Sequence, residues 1–395
     1  MGDERLRAAL GYPKFRATPR ILVFRAKYFV VGDVLDAARE LGFEVAEVDA
    51  KIQGAGEGKF VAALLTAIVT HRPDFVVTVN HLGFDEQGVL SGLLAEYGVP
   101  LASWFVDHPL PILGGADKNA TKSCQVFCFE RTAIPWLVSR GYENVVHLPT
   151  GSNRRWFHPD VAAKLRARFD STALSFVGNS WWLKARTEPT AQVRKAAREL
   201  AERGPVDRAL LAKGVPEWVD EASRGPDRTA FFGMQAALAE SSMQTRGRFV
   251  RALKPLGLRL FGDPDWKRVV PGVRVEKTLS YETELPALFA ASGVNANVTA
   301  EQMPTAVNQR VWDVPGAGGF LLTDAQEDAL EVFEPDVDMA FYTTPEEAVD
   351  KARHYMSRET ERLAAAARAF AKVEAAHRAT HRMQKMYDVM RRRFG

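Results

Sequence analysis

The chain has 395 residues, of which 46% are hydrophobic and 26% are charged, and its formal net charge is +3 at pH 7. A single core stops growing at roughly 250–300 residues, so this length predicts two domains. The mildly basic balance lacks the concentrated charge of a nucleic-acid-binding protein, and no stretch approaches the roughly 18 apolar residues of a membrane span. The charged segment from Met1 to Arg20 lacks the apolar core of a signal peptide, so we expect a cytoplasmic protein.

The two cysteines, Cys124 and Cys128, lie in a predicted strand. Four residues of strand span roughly 13 Å, which is too long for a disulfide. Buried free thiols in a reducing compartment are therefore expected. No set of Cys and His residues completes a zinc site, so we predict no metal centre.

The first half of the chain alternates short apolar runs with helical patterns, for example Gly32–Leu41 and Phe60–Thr70. This alternation predicts a parallel sheet covered on both faces. The predicted strands are Ile21–Phe24, Glu44–Val48, Asp74–Val79, Leu101–Val106, Val126–Phe129 and Val145–Leu148.

The alternation of apolar runs and helical patterns stops between Pro149 and Asp170, and it starts again after Asp170. We interpret the segment from Pro149 to Asp170 as a domain linker. Two or three helices are expected between Val177 and Lys254. The later strands are predicted at Leu174–Val177, Leu258–Phe261, Val273–Lys277, Val294–Val298, Phe320–Leu322 and Met339–Tyr342. Later helices are predicted at Glu284–Ala291, Val307–Val314, Glu346–Met356, Thr360–Ala375 and Met383–Arg393.

Two common phosphate-binding fingerprints are missing from the first half. The first strand is followed by Arg25–Tyr28 and not by a glycine-rich turn, so the dinucleotide fingerprint is absent. The segment Gly54–Lys59 lacks both the opening glycine and the Ser/Thr of a phosphate loop, and it is predicted to be a flexible loop.

The second half has glycines where two predicted strands end. Gly178 and Asn179 follow one strand, and Gly262 follows another. The carboxyl ends of strands are where open α/β sheets bind ligands, and glycine permits close backbone approach. These residues either line a shared ligand cleft or form plain strand–helix turns.

The most informative block runs from Asn308 to Asp324. Arg310 and Asp313 are three residues apart, so they share one face of a short helix, and Gly318 and Gly319 then precede a buried strand. Arg310 can grip a diphosphate and Asp313 can accept hydrogen bonds from ribose hydroxyls. The alternative is an intrahelical ion pair worth only a few tenths of a kcal/mol.

This block resembles the spore maturation protein CgeB-like glycosyltransferases, where an Arg, two apolar or aromatic residues and an acid precede a Gly-Gly-Phe-Leu-Leu-Thr-Asp run. Further segments that resemble the family are Asn80–Asp85, Ser103–Pro109, Phe176–Asn179, Asn295–Val298, Phe333–Pro335 and His377–Arg382. The resemblance covers nearly the whole chain. It departs from the family's His-Thr-Tyr-x-His-Arg element at Arg378 and Ala379.

The resemblance implies a GT-B fold, in which two Rossmann-like domains with parallel sheets face a central cleft. We assign residues 1–160 to an N-terminal acceptor-side domain, 172–380 to a nucleotide-sugar-binding domain, and 381–395 to a C-terminal helix that returns to the N-terminal domain. The related family 4 enzymes are retaining and carry two glutamates eight positions apart. Here the second aligns with Asp313 and the first with Thr305, so one carboxylate is lost.

The resulting hypothesis is a cytoplasmic hexosyltransferase that moves a sugar from a nucleotide diphosphate donor to a hydroxyl acceptor. The donor is a substrate, and we expect no cofactor and no metal, with Arg310 and nearby backbone amides stabilising the departing diphosphate. The predicted donor-binding residues are Gly178, Asn179, Gly262, Asn297, Arg310, Asp313, Gly318 and Gly319.

On the acceptor side, Asp107 and His108 end a strand and either could act as general base, while His81 could hydrogen-bond a substrate. The alternatives are a nucleotide-sugar epimerase or hydrolase and a non-catalytic binding protein. The basic tail Arg391–Arg393 is either a frayed, solvated helix end or a peripheral membrane contact.

Overall fold

The computed structural model describes residues 2–50, 58–114, 118–165, 169–186, 190–203, 206–224 and 229–395. The chain divides into two compact units. Unit 1 contains Met1–Pro149 and Ala379–Gly395, and unit 2 contains Thr150–Arg378. Most of the predicted loop Gly54–Lys59 lies outside the described residues.

The described residues contain twelve strands and nineteen α-helices. The strands are β1 (Arg20–Arg25), β2 (Glu44–Asp49), β3 (Phe75–Val79), β4 (Leu101–Phe105), β5 (Cys124–Cys128), β6 (Val146–His147), β7 (Thr172–Val177), β8 (Arg259–Phe261), β9 (Val275–Glu276), β10 (Ser292–Ala296), β11 (Leu321–Asp324) and β12 (Ala340–Tyr342).

The helices are α1 (Gly2–Leu10), α2 (Phe29–Glu40), α3 (Gly58–His71), α4 (Val89–Glu96), α5 (Pro109–Leu113), α6 (Ile134–Ser139), α7 (Pro159–Leu165), α8 (Trp182–Arg186), α9 (Ala191–Arg203), α10 (Arg208–Leu211), α11 (Glu217–Arg224), α12 (Thr229–Leu253), α13 (Trp266–Val269), α14 (Leu285–Ala291), α15 (Arg310–Gly316), α16 (Glu327–Leu330), α17 (Pro345–Ser357), α18 (Glu359–Ala376) and α19 (Ala379–Phe394).

Unit 1 is built on a parallel sheet with the strand order β2-β1-β3-β4-β5-β6. Every residue of β3, β4 and β5 is buried, as expected for central strands that helices cover on both faces. The order reverses between β1 and β3, so ligands are expected at the carboxyl ends of these strands. Helix α19 belongs to this unit and packs Met383, Met386 and Met390 into its core.

Unit 2 has a second parallel sheet with the order β12-β11-β10-β7-β8-β9. Counted from its own first strand, β7, this is the doubly wound Rossmann order 3-2-1-4-5-6 read from the opposite edge. The reversal lies between β7 and β10. Its core combines strand residues such as Leu174 and Val294 with Phe249 from α12.

Two stretches differ from the sequence prediction. The connection from β7 to β8 holds five α-helices in its described residues, α8 to α12, where two or three were expected. The predicted linker belongs to unit 2 from Thr150 onward: its described residues contain α7, and Phe157 is fully buried there. Short helices separated by Gly and Pro carry too few residues for a clear helical period, which is why they escaped the prediction.

Candidate functional site

The topological switch point of unit 2 places three predicted residues at one edge of its sheet. Gly178 follows β7, Gly262 follows β8 and Asn297 follows β10. Because neighbouring parallel strands end at the same edge, these residues border a common region. The sequence prediction that the strand ends meet there is consistent with this topology.

Gly262 is required by close backbone packing. A Cβ atom at this position would lie 2.3 Å from the carbonyl oxygen of Gly178. The indole Nε1 of Trp266 donates to the same carbonyl at 2.7 Å. Ser180 donates to Asp263 through both its backbone N–H and its hydroxyl. The two strand ends are therefore held rigidly against each other.

Arg246 of α12 reaches this edge and was not singled out from the sequence. Its Nε donates to the carbonyl of Asn179 at 2.9 Å and its Nη1 to the carbonyl of Val298 at 3.1 Å. A Cβ atom on Gly178 would lie 2.2 Å from Arg246 Nη2, so glycine makes room for the guanidinium. The side chain is buried, and its guanidinium lies over the Phe176 ring, with Cζ 5.4 Å from the ring centroid.

A sequence signal for Arg246 does exist. It stands three residues after Met243 and four before Val250, which are both buried, so it occupies the apolar stripe of α12. A charged residue on such a stripe needs a partner or a function.

Arg310 begins α15 and points toward β10. Its Nε donates to Asn297 Oδ1 at 2.7 Å. Asn297 is fully buried and is itself held by Thr323, whose hydroxyl accepts from Asn297 Nδ2 at 3.0 Å. Asn297 thus orients Arg310. It was predicted to bind the donor, and its buried side chain acts through Arg310 instead.

The two guanidinium groups lie near enough to influence each other. Burial lowers the pKa of Arg246 to about 9, and the charge of Arg310 acts in the same direction. Burial also lowers the pKa of Arg310 to about 10, although Asp313 and Asp324 oppose the shift. For both guanidinium groups, the effect of burial on the pKa outweighs that of the nearby carboxylates.

The nearby carboxylates are held by other groups. Asp324 accepts from Arg208 Nη1 at 2.8 Å and from the Thr299 hydroxyl at 2.9 Å. Asp263 accepts from Ser180. Among the residues that the structure describes, neither Arg246 nor Arg310 has a carboxylate oxygen within 4 Å. An uncompensated buried charge is costly, so this edge favours a bound anion.

Asp313 faces the other way within the same helix. It is 1% exposed, accepts from the Tyr281 hydroxyl at 2.9 Å and accepts from Gln309 Nε2 at 3.2 Å. Arg310 and Asp313 form no ion pair within 4 Å among the described residues. The alternative of an intrahelical Arg310–Asp313 ion pair therefore does not describe this helix. Thr305, which aligns with the missing carboxylate, is also buried.

Gly318 and Gly319 lie apart from the other predicted donor residues. They precede β11, at the amino edge of the sheet, whereas the strand ends that carry Gly178 and Asn297 form the carboxyl edge. Gly318 has φ +79° and closes α15, and a Cβ on Gly319 would lie 2.7 Å from the Phe289 carbonyl oxygen. Their placement corrects the sequence-based grouping: both are turn and packing residues.

In unit 1, Asp107 belongs to a hydrogen-bond network at the switch point. Its Oδ2 accepts from the Tyr28 hydroxyl at 2.7 Å and from Asn80 Nδ2 at 2.9 Å. Asn80 Oδ1 accepts in turn from the backbone N–H of Val106 at 2.9 Å. Burial, then the Asp107 charge, raise the pKa of Tyr28, so its phenol remains a donor. Asp107 is partly exposed, and hydrogen bonds from Tyr28 and Asn80 fix the orientation of its carboxylate.

His81 is an internal residue of unit 1. Its Nδ1 lies 2.5 Å from the Ser103 hydroxyl and its Nε2 lies 2.9 Å from the Tyr142 hydroxyl, and the ring packs on Phe105. Both ring nitrogens are thus engaged with protein groups. Asn80 and His81 adopt left-handed backbone conformations with φ of 52° and 54°, which marks a constrained turn.

His108 caps helix α5, where its Nδ1 accepts from the backbone N–H of Leu110 at 3.3 Å. It is 2% exposed, and burial lowers its pKa from 6.5 to about 4, against an opposing effect of Glu130. His108 is therefore neutral at neutral pH, and one of its nitrogens is used by the cap. Of the predicted pair, Asp107 has the geometry of the better proton acceptor.

The remaining predicted features have structural settings. Cys124 and Cys128 are free and buried. Helix α19 continues to Phe394, and Arg393 donates to Gln125 Oε1 at 2.9 Å and to backbone carbonyls of unit 1, so the basic tail is not a frayed end. No described helix is long and apolar enough to cross a bilayer. Within the described ranges no three His, Cys, Asp or Glu side chains are grouped as metal ligands.

Comparison with known proteins places this architecture in a class. Residues 245–388 match a protein-family model described as "Glycosyl transferase-like". That segment contains Arg246, Gly262, Asn297, Arg310 and Asp313. A search of curated protein sequences gives no match.

Solved structures match almost the whole chain at low sequence identity. Sucrose-phosphate synthase from Thermosynechococcus elongatus is 11% identical, with 95% of this chain and 99% of that chain covered and a TM-score of 0.57. HepE from Anabaena in complex with UDP and glucose is 11% identical, with 95% of this chain and 99% of that chain covered and a TM-score of 0.55. An alpha-glucosyltransferase in complex with UDP and a 13-mer DNA is 10% identical, with 95% of this chain and 100% of that chain covered and a TM-score of 0.54.

The chain therefore has the GT-B glycosyltransferase fold, with two Rossmann-like parallel sheets, and the predicted fold class is confirmed. The match to the family model covers residues 245–388 of this fold.

Proposed function

We propose that the protein is a glycosyltransferase that uses a nucleotide diphosphate-sugar. The observation that carries the proposal is the pair of cationic side chains, Arg246 and Arg310, without carboxylate partners at the switch point of the unit 2 sheet. The family match over residues 245–388 supports it. UDP is the first nucleotide to test, because HepE and the alpha-glucosyltransferase were both crystallised with it.

The proposed chemistry follows from where charge develops. As the bond from the anomeric carbon to the diphosphate oxygen breaks, negative charge grows on the departing diphosphate. Arg310, oriented by Asn297, and the buried charge of Arg246 stabilise that charge in a low-dielectric setting. Because two guanidinium groups supply the positive charge, we propose a transfer that needs no metal ion.

The acceptor hydroxyl forms the new bond to the anomeric carbon and loses its proton. We assign the acceptance of that proton to Asp107, which Tyr28 and Asn80 hold in one orientation. The finer family assignment, CgeB-like, and a hexose as the transferred sugar are further parts of this proposal. The acceptor is a hydroxyl of a surface glycan, a protein or a small molecule.

The decisive experiment is calorimetric titration of UDP into the wild type and the variants Arg246→Ala and Arg310→Ala. Loss of one charge-assisted hydrogen bond costs about 1.5–3 kcal/mol, so affinity falls about 10- to 100-fold in each variant. Arg248→Ala is the matched control, since Arg248 lies on the exposed side of α12 and its Nη2 donates to the neighbouring Thr245 hydroxyl. Equal affinities in all four proteins would refute the proposed diphosphate site.

A non-catalytic nucleotide-sugar-binding protein is the second candidate. Thr305, which stands where the related enzymes carry a carboxylate, favours it. Tight UDP binding together with no consumption of UDP-glucose across a broad panel of acceptors would support this candidate over the enzyme. Conversion of the donor without an acceptor would point to an epimerase or hydrolase.

A further inference from the structure

The long connection between β7 and β8 builds a pocket of its own. A parallel crossover needs only about a dozen residues, whereas this one runs from Gly178 to Leu258 and adds helices α8 to α11 before the long helix α12. Helices α8, α9 and α12 enclose a cavity of about 380 Å³. That volume lies within the range of about 300–1,000 Å³ usual for small-molecule sites.

Much of the lining of this pocket, which we call the crossover pocket, consists of small apolar side chains, and Ser241 and Gln244 are also part of it. Helices α9 and α12 touch where a Cβ atom on Gly233 would lie 2.9 Å from Ala196 Cβ. One turn further along α12, Ala236 and Ala237 are too short to fill the space opposite Ala197. The apolar lining therefore arises from the helix spacing and from the alanine side chains together.

The rim of the crossover pocket is positively charged. Arg186, Arg194 and Arg198 line it, and Glu240 is the acid among the described lining residues. Glu240 Oε2 lies 3.3 Å from Arg186 Nη1, so the acid is already paired with one of them. Arg198 is exposed on α9 and forms no ion pair with any residue that the structure describes.

We propose that the crossover pocket binds a small amphipathic anion, with its carboxylate or phosphate at Arg198 and its apolar body among the alanines. The alanine side chains favour burial of an alkyl or ring portion of the ligand, because this removes apolar surface from water. The guanidinium of Arg198 at the rim attracts an acidic head group and can donate two hydrogen bonds to its oxygens. This site is formed by other residues than the proposed diphosphate site and does not depend on it.

The test uses the full chain and three eight-carbon probes: octyl phosphate and octanoate below their critical micelle concentrations, and the neutral 1-octanol below its solubility limit. Binding is measured by calorimetry to the wild type and to Arg198→Gln, Ala236→Leu and Lys195→Gln. Lys195 is the matched control, because it lies on α9 with its ammonium beside Glu199 and does not line the pocket.

We expect octyl phosphate or octanoate to bind more tightly than 1-octanol, and the preferred anion identifies the head group. Arg198→Gln should weaken anion binding about tenfold, Ala236→Leu should abolish it by filling the space, and Lys195→Gln should leave it unchanged. Circular dichroism and UDP titration on each variant verify the fold and separate this site from the diphosphate site. The proposal fails if neither anion binds the wild type, if 1-octanol binds equally well, or if Arg198→Gln and Lys195→Gln have the same effect.

Discussion

At the scale of single residues, the candidate donor site depends on side chains that other residues hold in place. Asn297 orients Arg310, and the absence of a side chain at Gly178 admits the guanidinium of Arg246. Sequence reasoning identified Arg310 from its motif and Gly178 from its position after a strand. It missed Arg246, because no motif marks a single arginine in a long helix and its place on the apolar stripe of α12 was the one available signal.

Gly178→Ala tests the contact between backbone and guanidinium. The new Cβ would lie 2.2 Å from Arg246 Nη2, so the arginine must move. We expect UDP affinity to fall about tenfold and the free energy of unfolding to fall by about 1–3 kcal/mol. Both are measured by titration calorimetry and denaturant unfolding.

Gly32→Ala is the control for that substitution. Gly32 lies inside α2, and a Cβ atom there would meet nothing within 4 Å. Alanine should stabilise the helix by about 0.5–1 kcal/mol and leave UDP binding unaltered. If Gly178→Ala behaves like Gly32→Ala, the assigned position of Arg246 is incorrect.

Asp107→Asn separates the proposed proton acceptor from donor binding. Asparagine can still accept from Tyr28, so the network keeps its shape while the carboxylate is lost. We expect sugar transfer to slow by about 10²–10⁴-fold with unchanged UDP affinity. The exposed Asp49, paired with Arg25, provides the control Asp49→Asn, which should keep full activity.

At the scale of elements, the ends of strands and helices decide which side chains are available for chemistry. His108 follows β4 as expected for a catalytic residue, yet it starts α5 and uses Nδ1 as the helix cap. His81 follows β3 but turns inward through a left-handed backbone to Ser103 and Tyr142. The position of a residue in sequence predicted the edge of the sheet, and the local turn determined the direction of the side chain.

The cap at α5 makes stability depend on pH. Burial lowers the pKa of His108 from 6.5 to about 4, so the folded state prefers the neutral ring. Its contribution is fully present above pH 6.5 and is lost as the pH falls toward 4, when the unfolded chain binds the proton more readily. The shift corresponds to about 3 kcal/mol.

His108→Asn removes the titrating group while retaining a side chain that can cap α5. Denaturant unfolding at several pH values should give the variant a shallower loss of stability than the wild type between pH 6.5 and 4. Parallel curves over that window would show that His108 titrates normally.

At the scale of the whole molecule, the last helix completes the first unit. The chain passes from Pro149 to Thr150 into unit 2, and returns at Ala379, where α19 adds methionines to the unit 1 core. The stability of unit 1 therefore depends on residues more than 200 positions away in sequence.

Met386→Ala tests this dependence. Met386 is 1% exposed in the unit 1 core, and truncating such a side chain costs about 2–5 kcal/mol. Hydrogen exchange should become faster across β1 to β5 and stay unchanged in β7 to β12. Gln384→Ala, at an exposed position of the same helix, should change stability by less than about 0.5 kcal/mol. Faster exchange confined to unit 2 would contradict the assignment of α19.

The sequence alone determined the alternation of strands and helices, the two parallel sheets, and the place of the strand ends, because apolar periodicity and Gly or Pro breaks are local signals. It also identified Arg310 as a candidate donor-binding residue. Only the tertiary structure decided that Arg246 joins it, that Asp313 turns to Tyr281, and that Gly318 and Gly319 lie at the opposite edge. These outcomes depend on strand order and on contacts between residues distant in sequence, which no local pattern encodes.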